Sequence, residues 1–153
     1  SRLKILLTQL LSMLAGITLL IVLITAIGVG TCEGLFPGEL DIPLFLKLNG
    51  ALLLFHLMLG GIAFLPACIF NDSKWYFSIG AGLLVLFFLF QMLGNTGGDM
   101  EFFRYLTLFT LFPGKNIVDG EGDVLLKCLG MAGAAIVMYG CGAVCFHKKD
   151  LPL

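Results

Sequence analysis

The apolar positions of this chain fall into four long runs, at about residues 5–29, 45–69, 75–93 and 124–146, separated by polar stretches. Each run is close to or above the ~20 residues that an α-helix needs to cross a hydrocarbon core of ~30 Å. Inside a bilayer the backbone finds no water, so such a run must satisfy its own N–H and C=O groups as a helix. The pattern predicts an all-α integral membrane protein with four transmembrane helices in a single domain. The punctuation agrees. Gly28 and Gly30 close the first run, and Pro37 and Pro43 mark turns in a connector carrying Glu33, Glu39 and Asp41. The turn Asn71-Asp72-Ser73-Lys74 is short enough to make the second and third helices antiparallel neighbours. Trp75 and Tyr76 stand where interfacial aromatics belong. Gly94-Asn95-Thr96-Gly97-Gly98 breaks the third run.

Small residues mark places where helices can approach closely: Gly60-Gly61 in the second run, and Gly130, Gly133, Ala134, Gly140 and Gly142 in the fourth. Pro66 is placed to bend or end the second helix. Between the third and fourth runs, residues 99–123 form a stretch too apolar for an ordinary solvated loop. Phe102, Phe103, Leu106, Phe109 and Phe112 recur there at helical spacing, with Thr107 and Thr110 among them, until Pro113-Gly114 stops the run. A piece this short cannot span a bilayer, but it can lie in the interface or dip in and return where protein covers its backbone. The pattern predicts a short extracellular interfacial or re-entrant helical segment. It leaves open whether that segment merely packs on its neighbours or forms a gate at the outer mouth of a transport path.

Composition removes the soluble alternative. Of 153 residues, 59% are hydrophobic and 12% charged, against ~25% charged in soluble domains. The net charge of −1 and the absence of a basic block argue against nucleic acid as a partner. One set of flanks holds Arg2, Lys4, Lys74, Lys148 and Lys149. The other holds Lys47, Arg104, Lys115 and Lys127 among eight acids. The first five cations share far fewer residues, so the positive-inside bias puts both ends of the chain in the cytoplasm and residues 99–123 outside. Of the five cysteines, Cys32 and Cys128 fall at the outer face, where a bridge is chemically open to them. Free thiols acting as small hydrophobes fit all five.

Candidate chemistry is sparse. No Gly-rich phosphate loop ending in Lys-Ser or Lys-Thr is present, so the chain is not expected to hydrolyse ATP by itself. His56 is the one ionisable group well inside a span, which makes it a functional candidate. The bland alternative is a neutral imidazole bonded to a neighbouring helix, with Asn49 on the same face. Gln91 and Asn95 lie one turn apart near the outer end of the third helix, placed to contact a substrate or to tie helices together. No metal cluster and no catalytic constellation is visible.

Three stretches carry a family resemblance. The opening Ser1-Arg2-Leu3-Lys4-Ile5-Leu6-Leu7-Thr8-Gln9, the run from Phe103 to Phe112, and the ending Cys145-Phe146-His147-Lys148-Lys149-Asp150-Leu151-Pro152-Leu153 resemble the type-2 ABC exporter permeases, the membrane subunits of ABCG-like fold. The first is similar to the Ser-Arg motif leading into that family's third transmembrane helix. The second is similar to the extracellular segment between its fifth and sixth helices, and the third to its terminal Asp-Leu-Pro. The order and spacing cover nearly the whole chain. Family members have six spans, so this chain looks like the last four, with two preceding spans expected ahead of it.

The resemblance implies a subunit of an ATP-driven exporter in the plasma membrane, of bacterial type. Two permeases, a second copy or a related chain, would work with a dimer of separate ABC ATPase subunits that hold ATP and Mg. It implies a path at the permease dimer interface lined in part by the third helix here, with Phe87, Phe90, Gln91 and Leu93 as lining candidates and Asn95 beside them. It makes Phe102, Phe109 and Phe112 candidates for an outer gate, with His56 as a further candidate on the path. Arg2, Lys4, Asp72 and Lys74 become candidates for ATPase contact. Membrane lipid is the remaining partner, and Lys148 and Lys149 fit an anionic-lipid anchor as well as they fit docking to the ATPase. The apolar, weakly charged spans favour a hydrophobic or amphipathic cargo such as a peptide, an antibiotic or a lipid-like molecule. Two other readings remain: a non-transporting accessory or immunity protein, and a membrane thiol oxidoreductase. Cys141 and Cys145 at i, i+4 do not form the Cys-x-x-Cys pair that the second requires.

Overall fold

The computed structural model describes residues 2–120 and 122–148, with the side chains of residues 2 and 3 left out of the description. Four helices are long and apolar enough to cross a membrane. They are α1 (Arg2–Leu35), α2 (Ile42–Ile69), α3 (Ser73–Asn95) and α5 (Val124–Lys148). Between α3 and α5 the chain forms two 3₁₀ segments, Gly98–Leu106 and Leu108–Leu111, and a short helix α4 (Gly114–Asp119).

Their boundaries follow from local chemistry. Asp41 caps α2, its Oδ1 accepting from Leu44 N at 3.0 Å, and Pro43 falls in the first turn, where a missing N–H costs nothing. The α2 helix therefore begins before the expected residue 45. Asp72 caps α3 in the same way, accepting from Lys74 N at 2.9 Å. The α1 helix runs past Gly28 and Gly30 to Leu35, beyond its expected end near residue 29. In an apolar environment an internal hydrogen bond outweighs the conformational freedom of a glycine. The turn comes only at Gly38, where φ is +78°.

The α2 helix is the axis of the bundle. Within its most apolar window 39% of residues are buried, against 6% in α1, and it touches α1, α3, α4 and α5. Its most extensive partner is α5, which runs parallel to it. Phe55 and Met58 of α2 pack with Met131 and Ala135 of α5, and further along Phe64 and Cys68 meet Phe146. Small residues let the backbones close. A Cβ on Gly61 would stand 3.1 Å from Met138 Cβ, and one on Gly142 would stand 3.0 Å from the Phe64 ring. Tyr139 fixes the pair by donating from its hydroxyl to Leu57 O at 2.8 Å. The Gly60-Gly61 patch is thus used from two sides, since a Cβ on Gly60 would meet Tyr139 and Ile17 of α1. Pro66 lies within α2, which continues to Ile69. All five cysteines are free, Cys32 and Cys128 included.

Candidate functional site

After Asn95 the chain turns through Gly97 and Gly98, at φ +80° and +63°, and folds back along α3. Gly94 makes this possible. A Cβ there would collide with the Arg104 side chain and stand 2.9 Å from its backbone nitrogen. The returning chain reaches as far as Thr107, which is buried and donates from Oγ1 to Phe87 O at 2.9 Å. Phe87 is about two turns from Asn95, so the segment descends ~12 Å along α3 at 1.5 Å per residue. At Thr107 the backbone is extended (φ −121°, ψ 141°), and the same Oγ1 accepts from Phe109 N at 3.2 Å, starting the second 3₁₀ segment. The expected continuous helix is therefore split in two at this residue. The hydroxyl supplies an alternative to the helical hydrogen bond, as Thr side chains do at caps and turns.

Beyond Thr107 the aromatic residues turn into the bundle. The Phe109 ring meets Phe55 at 5.0 Å, nearly edge-on, and Phe88 at 6.3 Å. Phe112 meets Phe55 at 5.4 Å. Pro113 is fully buried, and α4 then leads back towards Lys47 of α2. On the descending limb Phe103 stacks on Phe90 at 5.4 Å. Phe102 faces outward at 63% exposure and Tyr105 at 84%. The five apolar residues read as one helical stripe thus split into an inward pair, Phe109 and Phe112, and a limb lying on α3.

Polar groups bind the two limbs. Thr110 Oγ1 lies 3.1 Å from Gln91 Oε1 and also bonds Arg104 O, while Gln91 Nε2 lies 3.3 Å from Asn95 Oδ1. A hydroxyl has one proton, and a carbonyl only accepts. The assignment that satisfies every group has Thr110 donating to Arg104 O, Gln91 donating from its amide to Thr110, and Asn95 donating to Gln91. Amide orientation is set by such a network. Gln91 therefore meets the folded-back segment through Thr110 and serves as its clasp, and Asn95 bonds Gln91 on the same helix. Phe87 contributes through its carbonyl and Phe90 through its ring.

The other candidates lie elsewhere. His56 is half-buried, and its Nδ1 donates to Leu52 O of its own helix at 2.9 Å, not to a neighbouring helix as expected. Asn49 does the same with Phe45 O at 2.8 Å. An i−4 carbonyl lies within reach of each, which removes the need for a partner helix. The His56 ring stands edge-on to Phe55 at 5.9 Å, which places it one residue from the aromatic cluster. Lys4, Asp72 and Lys74 are exposed and sit at the opposite end from the folded-back segment, where Tyr76 and Phe146 line one cavity with Ile5 and Ala67. Asp72 already serves as the α3 cap. The Arg2 side chain and residues 149–153, including Lys149 and the terminal Asp-Leu-Pro, lie outside the described residues.

In sequence Thr107 stands only as one member of the stripe and Gly94 as one member of a breaker cluster, without the pivot and closest-approach roles they take here. Tyr139, which pins α5 to α2 beside the site, was not named, although a phenol in mid-helix has to find an acceptor. Among the described residues no group of three or more His, Cys, Asp and Glu side chains is placed to hold a metal ion. No family model, curated protein or solved structure matches the chain.

Proposed function

We propose that this multi-span membrane protein is the permease subunit of an ATP-driven exporter for a hydrophobic or amphipathic cargo, and that residues 98–119 form the gate at its outer end. The observation that supports this reading is the folded-back segment itself. A connector with only a linking role has no need to descend along α3, bury Thr107 on a helix carbonyl and drive Phe109 and Phe112 against Phe55. The plug is held by weak, separable contacts: one hydroxyl-to-carbonyl bond, the Gln91 clasp and stacked rings. Such contacts suit a part that opens and recloses. The helix surfaces around it are apolar, with α3 exposing Phe77, Val85, Phe88 and Met92, as a path for an apolar cargo or a seat for a second permease would require.

In this reading a separate ATPase dimer binds ATP and Mg and acts at the end that carries Lys4, Asp72 and Lys74. Affinity purification of the complete subunit in mild detergent, followed by mass spectrometry, tests it. Recovery of a soluble protein with ATP-binding motifs in about equal amount is the expected result. Isolation of the subunit alone, with no ATP-dependent activity after reconstitution with the membrane extract, would favour an accessory role. The gate is tested separately by Phe109→Asp. A carboxylate at this half-buried position, against Phe55, should force the segment out, with export lost or ATPase activity uncoupled. Unchanged export and unchanged ATPase stimulation would remove the gate while leaving the permease assignment intact.

A further inference from the structure

The descending limb of the folded-back segment, Gly98–Leu106, is wound as a 3₁₀ helix, in which side chains three residues apart eclipse. The limb therefore carries three columns of side chains. Phe103 stacks on Phe90 of α3 and Arg104 lies against Gly94, so the columns through these two residues take the inner side. Asp99, Phe102 and Tyr105 make the third column, and all three are exposed. It is an amphipathic strip, a carboxylate followed by two rings.

The level of the rings along α3 decides what covers them. Trp75 is exposed at the far end of α3, and from there to Gly94 the helix rises about 28 Å at 1.5 Å per residue. That is close to the ~30 Å of a hydrocarbon core. With Trp75 and Tyr76 in one interfacial belt, Gly94 and the adjoining Arg104 stand at the opposite boundary. From Arg104 the limb descends to Thr107 at Phe87 O. Phe102 and Tyr105 thus fall in the layer of headgroups and upper acyl chains, where amphipathic segments bury their apolar faces to ~5–10 Å. The exposed residues of α3 at this level are Phe88, Leu89, Met92 and Leu93, whereas a water-filled passage would be lined with polar groups.

We propose that the outward column of this limb is a lipid-binding surface, with Phe102 and Tyr105 seated in the membrane interface on that side and Asp99 in the water above it. Tyrosine suits the place, since its ring is apolar and its hydroxyl polar. The returning limb is held differently, by Phe109 and Phe112 against Phe55. The segment is thus fastened by the bundle on one side and by the bilayer on the other.

Tryptophan emission tests the surface. Trp75 is the only tryptophan of the sequence, so in a Trp75→Phe background either Tyr105→Trp or Phe102→Trp reports a single depth. Both positions are exposed, which lets each take an indole without disturbing the packing. The complete chain is reconstituted in phosphatidylcholine vesicles containing lipids brominated either just below the headgroup or near the chain end. Blue-shifted emission is expected at both positions, with quenching several-fold stronger by the shallow bromines than by the deep ones. Emission like that of an indole in water, unquenched by either lipid, would place the limb against a water-filled passage and overturn the proposal. Blue-shifted emission without quenching would mean that protein, such as a second copy of the chain, covers the rings. Strongest quenching by the deep bromines would mean that the rings lie inside the core, and either result overturns the proposal as well. The readout does not depend on transport or on an ATPase partner.

Discussion

Thr107 works three ways through one oxygen and one proton. It donates to Phe87 O, accepts from Phe109 N, and by doing both ends one 3₁₀ segment and begins the next. Thr107→Val keeps the shape and removes the hydroxyl. The loss of a buried bond and a cap should cost about 1–2 kcal/mol, localised to the folded-back segment. Hydrogen exchange of residues 98–112 should accelerate while α2 and α5 stay protected, and uniform acceleration would mean that the segment is not a separate unit. Tyr139→Phe is the counterpart in the bundle. It removes the donor to Leu57 O and should lower stability in detergent by about 0.5–1.5 kcal/mol, read as a lower melting temperature without local opening at residues 98–112.

Glycines that look alike along the chain divide sharply once the elements are packed. Gly94 faces the Arg104 backbone, whereas a Cβ on Gly133 of α5 would meet nothing within 4 Å. Gly94→Ala should therefore push the descending limb off α3 at a cost of about 1–3 kcal/mol. Gly133→Ala should be neutral or stabilising by up to about 1 kcal/mol. Thermal melts of the two variants side by side check the contrast.

The same distinction marks how far the sequence could be read at this scale. The four spans were legible because hydropathy over ~20 residues is a sum that no tertiary contact overrides. The ends of α1 and α2 were less so, because glycine and proline read as breakers behave differently in an apolar helix and in a first turn. The Phe102–Phe112 stripe was legible as unusual but misread in form. Its spacing fits a helix, and the break at Thr107 depends on Phe87 O, twenty residues away in sequence. His56 was misread for the opposite reason, since its partner was only four residues distant.

At the scale of the molecule, the bundle places the ends of α1 and α5 that carry Lys4 and Lys148 with the turn before α3, and the Leu35–Ile42 connector with the folded-back segment. In a cysteine-free background, Lys74→Cys and Glu39→Cys should react with an impermeant maleimide from opposite sides of a sealed vesicle. Reaction of both from one side would break the four-span arrangement. The sign of the sidedness, with Lys74 on the cytoplasmic face, is the part that rests on the distribution of basic residues.

The pairing of α2 with α5 also sets an order on biosynthesis. The helix with the most buried face emerges before α5, the neighbour that covers Phe55 and Met58 with Met131 and Ala135. Until translation passes α5, the face of α2 that carries Phe55 has only lipid or the still unanchored segment after α3 to lie against. A nascent chain stalled near residue 123 should thus be inserted yet unassembled, and a target for membrane proteases. The helix that covers the core face of α2 is thus made after α1, α2 and α3.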